Sequence, residues 1–274
     1  MKTHAERKAS RDGYFAPESV IRLVVNSPLI PLLGAGPAVL FQVAHPLVAA
    51  SIAYQPDFRR TLWPRWLQII RALYLIIYGS KEEADQVGEA TRSAHSRVEG
   101  TTDVALGPFP AGTSYSASDP ALMLWVHAAL VEVALAVYGR FVWPLTRADE
   151  RRFYREMTVV AEIVGVPPSV VPATLGEFRE YLRTKLAGPE ICVTQPARQI
   201  AAAVLNAPLP IPVRPLRPAH RLATAGLLPP SLRSQYGLPW DPGRTAAMHV
   251  AAWSLRLAAA PLVFAAERIV ASPH

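Results

Sequence analysis

From Leu23 to Pro56 the chain carries no lysine, arginine, aspartate or glutamate. A stretch this long without charge has to be covered by something other than water. A membrane is one possible cover, but Pro28, Pro31, Pro37 and Pro46, with the polar side chains of Asn26, Gln42 and His45, leave no clean apolar run of spanning length. The chain is therefore expected to bend this stretch into helices inside a protein core, with peripheral membrane contact still compatible. Composition agrees: 51% of the 274 residues are hydrophobic and only 18% are charged. That balance calls for a thick core, an apolar cavity or an apolar surface facing a partner.

The formal charge of +7 raises the question of nucleic acid or an anionic surface. The basic residues are scattered, as Arg59-Arg60, Arg147, Arg151-Arg152 and Arg214/Arg217/Arg221. No basic stripe interleaved with aromatics marks a nucleic-acid interface, so a small-molecule role is expected instead. Cys192 is the single cysteine, which excludes an intrachain disulfide and a cysteine-based zinc site. The start, Met1 to Arg11, is basic, but Asp12 and Glu18 stand where a signal peptide would have its apolar run. A soluble, cytoplasmic protein of one all-α domain is the expectation; the oligomeric state is left open.

Helical signals dominate the rest of the chain. Asp12 to Leu33 reads as a short helix and a proline-rich turn, after which Gly36-Pro37 opens a helix that Pro46 should kink. Further helices are expected from after Pro64 to Tyr78, and from the capping box Ser80-Lys81-Glu82-Glu83 to about Val98. Gly100 to Thr113 reads as a loop. Ser118-Asp119-Pro120 is a strong start for a helix reaching Tyr138-Gly139. Thr146 caps the next, ending at Gly165; others cover Leu175–Leu186 and Pro196–Val204. Pro208 to Pro218 should cross in extended form, before a short helix within Leu227–Leu238 and a last one from Gly243 to Val270.

The residues able to carry chemistry are the internal histidines. His45, His95 and His127 all fall in helical patterns with apolar neighbours. Met123, His127, Leu130 and Val131 share one helical face. A neutral imidazole there would offer one nitrogen to a metal and donate the other N–H to an acceptor; on spacing alone, a core histidine bonded to a backbone carbonyl is favoured. His95 shares a face with Gly88, Thr91, Arg92 and Val98, which suits stabilising bound dioxygen or binding a carboxylate, or simply a helix junction. His45, before Pro46, either lines a pocket or satisfies the backbone freed at a bend. No Glu-x-x-His, His-x-x-x-His, His-Glu-x-x-His, Walker or dinucleotide fingerprint is present.

Taken in order, Leu33-Gly34-Ala35-Gly36-Pro37-Ala38-Val39-Leu40-Phe41-Gln42-Val43-Ala44-His45-Pro46, Thr91 to Gly100, Tyr115 to Pro120 with Trp125-Val126-His127, Thr224 to Pro230, and Tyr236 to Trp240 resemble the MpaB/rubber-oxygenase catalytic-domain family. The resemblance implies a globin-like, multi-helix arrangement enclosing b-type haem. It makes His127 the proximal iron ligand and places Thr91, Arg92 and His95 on the distal side; His45, Met123 and Arg97 are expected as further cofactor contacts. Two positions depart from the family pattern. Ala90 stands near a lysine of some latex-clearing proteins, and Tyr54-Gln55-Pro56 replaces a frequent Glu-His-Ser.

The expected function is a haem-dependent oxygenase or peroxidase that oxidises an apolar or prenylated small molecule with dioxygen or peroxide. The alternatives are a non-enzymatic haem or lipophilic-ligand binding protein on the same scaffold, and a helical interaction protein whose haem site has decayed.

Overall fold

Asp119 starts the helix around which the others pack, its carboxylate accepting from the N–H groups of Ala121 (2.7 Å) and Leu122 (3.2 Å), with Pro120 at the first position. In the computed structural model, which describes residues 12–55, 58–206 and 217–271, the chain is all-α apart from one small hairpin. The side chains of 59–63 and 258–271 are outside the description. So are the basic start Met1–Arg11, His4, His274 and most of the proline-rich crossing, 207–216.

The first half comprises α1 (Val20–Val25), α2 (Leu29–Gln42), α3 (Pro46–Ala53), α4 (Phe58–Tyr78) and α5 (Lys81–His95). Strands β1 (Glu99–Thr101) and β2 (Ser114–Ser116) follow, antiparallel with Gly100 opposite Tyr115. The second half runs α6 (Pro120–Val137), a π-turn (Tyr138–Val142), α7 (Arg147–Ile163), a 3₁₀ turn (Pro168–Val170), α8 (Leu175–Ala187), α9 (Gln195–Leu205), α10 (Arg217–Leu227), α11 (Pro230–Gln235) and α12 (Pro242–Ala271).

Glu132 is the only Asp, Glu, Lys or Arg in α6, and a helix apolar all round belongs in the middle of a fold. It packs on α2 and α7 and buries Leu122, Trp125, Ala128, Val131 and Val133. By length and composition Pro120–Val142 would also cross a membrane, but 61% of that window is buried in protein, as befits a core helix.

The expected start at Gly36-Pro37 is corrected. The helix begins at Leu29, and Pro37 lies inside it. An interior proline costs about 3 kcal/mol, and burial of Pro37, Ala38, Leu40 and Phe41 offsets that here. Gly36 serves a contact instead: a Cβ there would fall 2.5 Å from the Thr224 hydroxyl on α10, so α10 can approach only a glycine.

Pro46 does more than kink. His45 adopts extended backbone, as a residue before proline tends to, and Pro46 begins a new helix inclined by 108° to the last. The Gln42 carbonyl, whose helical donor would have been the nitrogen of Pro46, accepts instead from the His45 N–H (3.3 Å) and the Trp125 indole N–H (3.0 Å). The Trp125 ring stands edge-on to Phe41 at 5.2 Å, and the Gln42 amide reaches the Val126 carbonyl at 3.5 Å. The break between α2 and α3 is thus closed by α6, two residues from His127.

Other boundaries also differ. α4 begins at Phe58, ahead of Pro64. Strands border the predicted Gly100–Thr113 loop. Arg217 and Pro218, expected to be extended, open α10, with the proline where its missing N–H is harmless. The capping box forms as predicted, with Ser80 Oγ accepting from Glu83 N–H and the Glu83 carboxylate from Ser80 N–H.

Trp125→Phe keeps an aromatic ring but removes the donor to Gln42 and part of the ring volume. It is expected to lower unfolding free energy by about 2–3 kcal/mol in urea titrations; an unchanged midpoint would contradict the brace.

Candidate functional site

His127 lies on α6 with 5% of its surface exposed. Its Nε2 is buried and has no hydrogen-bond partner among the described residues, whereas buried polar atoms are normally paired. Desolvation alone pulls its pKa down to about 4, so near pH 7 the ring is a neutral imidazole. A neutral imidazole carries a nitrogen lone pair, which is the form that binds a metal.

One turn earlier, Met123 packs with Leu124 of α6, Ala161 of α7 and Val166. Gly165, at φ +101°, ends this neighbourhood, and a Cβ there would meet Arg92 Cγ at 2.8 Å and Met123 Cε at 3.6 Å. The aliphatic stem of Arg92 and the tip of Met123 therefore meet at Gly165. This is where the predicted α5 group comes up against the His127 helix.

The polar ends of that group are occupied elsewhere. Arg92 Nη1 donates to the Ile163 carbonyl at the end of α7 (2.6 Å), and Nη2 pairs with Glu89 (2.7 Å). Thr91 Oγ1 donates back to the Val87 carbonyl (2.8 Å). His95 is half-buried, its Nδ1 has no partner, and burial together with Arg65 of α4 lowers its pKa. Arg97 donates to Ser93 Oγ (2.8 Å) and lines a separate cleft of about 640 Å³ with Tyr54, Arg65 and Tyr115.

His45 is buried against Phe109, ring centres 5.5 Å apart. Its Nδ1 accepts from the Leu47 N–H (3.2 Å), which caps α3. Burial lowers its pKa to about 4, so the neutral ring with Nδ1 accepting carries its proton on Nε2. It is placed to donate a hydrogen bond from Nε2 rather than to offer a lone pair there.

Among the described residues, no three histidine, cysteine or acidic side chains form a metal cluster. Among the described residues, two histidine nitrogens are buried without a hydrogen-bond partner, His127 Nε2 and His95 Nδ1. Sequence reasoning missed a larger feature on another face of α6: an open groove of about 1330 Å³ reached by Glu132, Arg140, Arg179, Arg183 and Arg256. Glu132, the lone charge in the apolar run, was its visible signal. His127 does not line it.

The buried imidazoles give acid sensitivity with a defined sign. Between the ordinary histidine pKa of about 6.5 and the folded value of about 4, the unfolded chain binds the proton that folded His127 refuses. Stability is therefore lost as pH falls through that window. In the purified protein without added cofactor, His127→Gln should flatten the fall by up to about 1.4 kcal/mol per pH unit. Equal slopes in urea titrations from pH 7 to 4 would show that His127 is not held neutral.

Two mycobacterial proteins are similar in sequence to this chain: uncharacterized protein Rv2237 of Mycobacterium tuberculosis and uncharacterized protein Mb2261 of Mycobacterium bovis. Each is 27% identical over 209 residues, 74% of this chain and 78% of the relative. No solved structure gives a significant match. The family model described as ER-bound oxygenase mpaB/B'/rubber oxygenase, catalytic domain, matches residues 22–257, from α1 into α12 with His45, His95 and His127 inside the span. The chain therefore belongs to the ER-bound oxygenase mpaB/B'/rubber oxygenase catalytic-domain family.

Proposed function

We propose that this protein is a haem-dependent oxygenase or peroxidase acting on an apolar or prenylated small molecule, with His127 as the proximal iron ligand. Family membership supports the oxygenase class and an oxidoreductase activity. The observation that carries the ligand assignment is the buried, neutral, unpartnered Nε2 of His127. When bound, b-type haem would supply the activation of dioxygen or peroxide, which no amino-acid side chain provides.

The protein's part is to present Nε2, keep the ring unprotonated and exclude water from it. Met123, one turn away, covers the same face with a soft apolar side chain. Arg92 is the candidate to polarise bound oxygen; to do so it has to exchange its bonds to Ile163 and Glu89. His95, with an unpartnered Nδ1, is the candidate proton carrier. Thr91, Arg97 and His45 are proposed as surrounding contacts, His45 as an N–H donor.

The commitment of Arg92 to the end of α7 favours one second reading, a haem or lipophilic-ligand carrier without a working distal group. One experiment separates the two. Titration of the purified protein with haem should give a Soret band saturating near one equivalent, lost in His127→Ala. Arg92→Ala should keep the band and lose peroxide- or dioxygen-dependent oxidation of an apolar substrate by about tenfold or more. A wild-type protein that takes up no haem overturns the proposal, and full turnover in Arg92→Ala removes Arg92 from the chemistry.

A further inference from the structure

The groove on the other side of α6 is built from five distant parts of the chain. Its floor is apolar, with Phe41 of α2, Leu182 of α8, Leu227 of α10 and Ala252 of α12 all buried. Its rim is cationic. Arg179 and Arg183 come from α8, Arg140 from the π-turn and Arg256 from α12. Trp253, 65% exposed, stands at the edge.

Two of these guanidiniums differ from the others. Arg179 pairs with Glu150 and Arg183 with Glu180. Arg140 donates to the Gly226 carbonyl (2.9 Å) and Arg256 to the Gly139 carbonyl (2.5 Å), and neither has a carboxylate partner among the described residues. Arg256 Nε is buried with no hydrogen-bond partner among the described residues. Arg256 thus rests on the π-turn and Arg140 on the end of α10, and both line the same groove. Wide turns of this type recur at functional sites. Among the described residues the one acid lining the groove is Glu132, and burial raises its carboxyl pKa.

Two cations balanced only by carbonyl dipoles want an anion. A small free anion would leave the apolar floor uncovered, and about 1330 Å³ exceeds the ~300–1,000 Å³ typical of small-molecule pockets. We propose that this groove binds a lipid anion, with its carboxylate or phosphate head on Arg140 and Arg256 and its chain along Phe41, Leu182 and Leu227. The site stands independently of haem, since it uses a face of α6 that His127 does not share.

The test is calorimetric titration of the 274-residue protein, without added haem, with palmitate and with farnesyl phosphate. Dodecanol serves as a chain without charge and acetate as a charge without chain. Binding near one equivalent is expected for at least one lipid anion, and much weaker binding for dodecanol and acetate. Arg140→Gln/Arg256→Gln should weaken binding by at least about tenfold. Arg140→Lys/Arg256→Lys, which keeps both charges, should retain most of it and guards against loss of fold. The ratio of the two lipid affinities shows which of these two anions the groove prefers. Dodecanol binding as tightly as the anions, no binding of either anion, or undiminished affinity in the glutamine variant each overturns the proposal.

Discussion

The indole N–H of Trp125 reaches across to the last carbonyl of α2, and much of the arrangement follows from that bond. Pro46 cannot donate to Gln42, so α2 has to end with an acceptor facing the core. Water cannot fill that role among Phe41, Leu47 and Val48, all buried. Trp125 can, and by doing so it fixes the rotation of α6 against α2. That rotation sets what each face of α6 meets. His127 is turned toward neighbours of Met123 near the end of α7, while Glu132, about 140° round the helix, opens on the arginine-rimmed groove.

The two faces call for different chemistry. On one, a single imidazole nitrogen is desolvated without a partner, an expensive arrangement unless something else uses the lone pair. On the other, guanidiniums outnumber carboxylates over an apolar floor. A haem ligand and a lipid-anion groove on opposite sides of one helix would suit an oxygenase of apolar molecules. The groove proposal nonetheless stands or falls without the iron.

How legible this was depended on how local each signal is. The Ser80 and Asp119 caps form as read, because a cap is decided within four residues. The apolar helix face of His127 predicted a core histidine and the structure buries it, while its reading as a ligand rests on the family resemblance. Pro37 misled because its tolerance depends on burial and on Thr224, nearly two hundred positions away, packing against Gly36. α10 was missed because its start follows a proline-rich run and its packing partners, α2 and α12, are distant in sequence. Thr91, Arg92 and His95 share a helix, as spacing demanded, but spacing could not tell that Arg92 would cap α7. The groove arginines lie between Arg140 and Arg256, and only the folded chain gathers them.

The account turns on whether the vacant nitrogen of His127 is an iron ligand. The most direct measurement is the absorption spectrum of haem-reconstituted His127→Gly with and without added imidazole. A true proximal site should lose its low-energy ligation spectrum in the variant and regain the wild-type bands when free imidazole fills the space left by the side chain. A His127→Gly spectrum identical to the wild type, unmoved by imidazole, would place the iron on another residue and contradict the account.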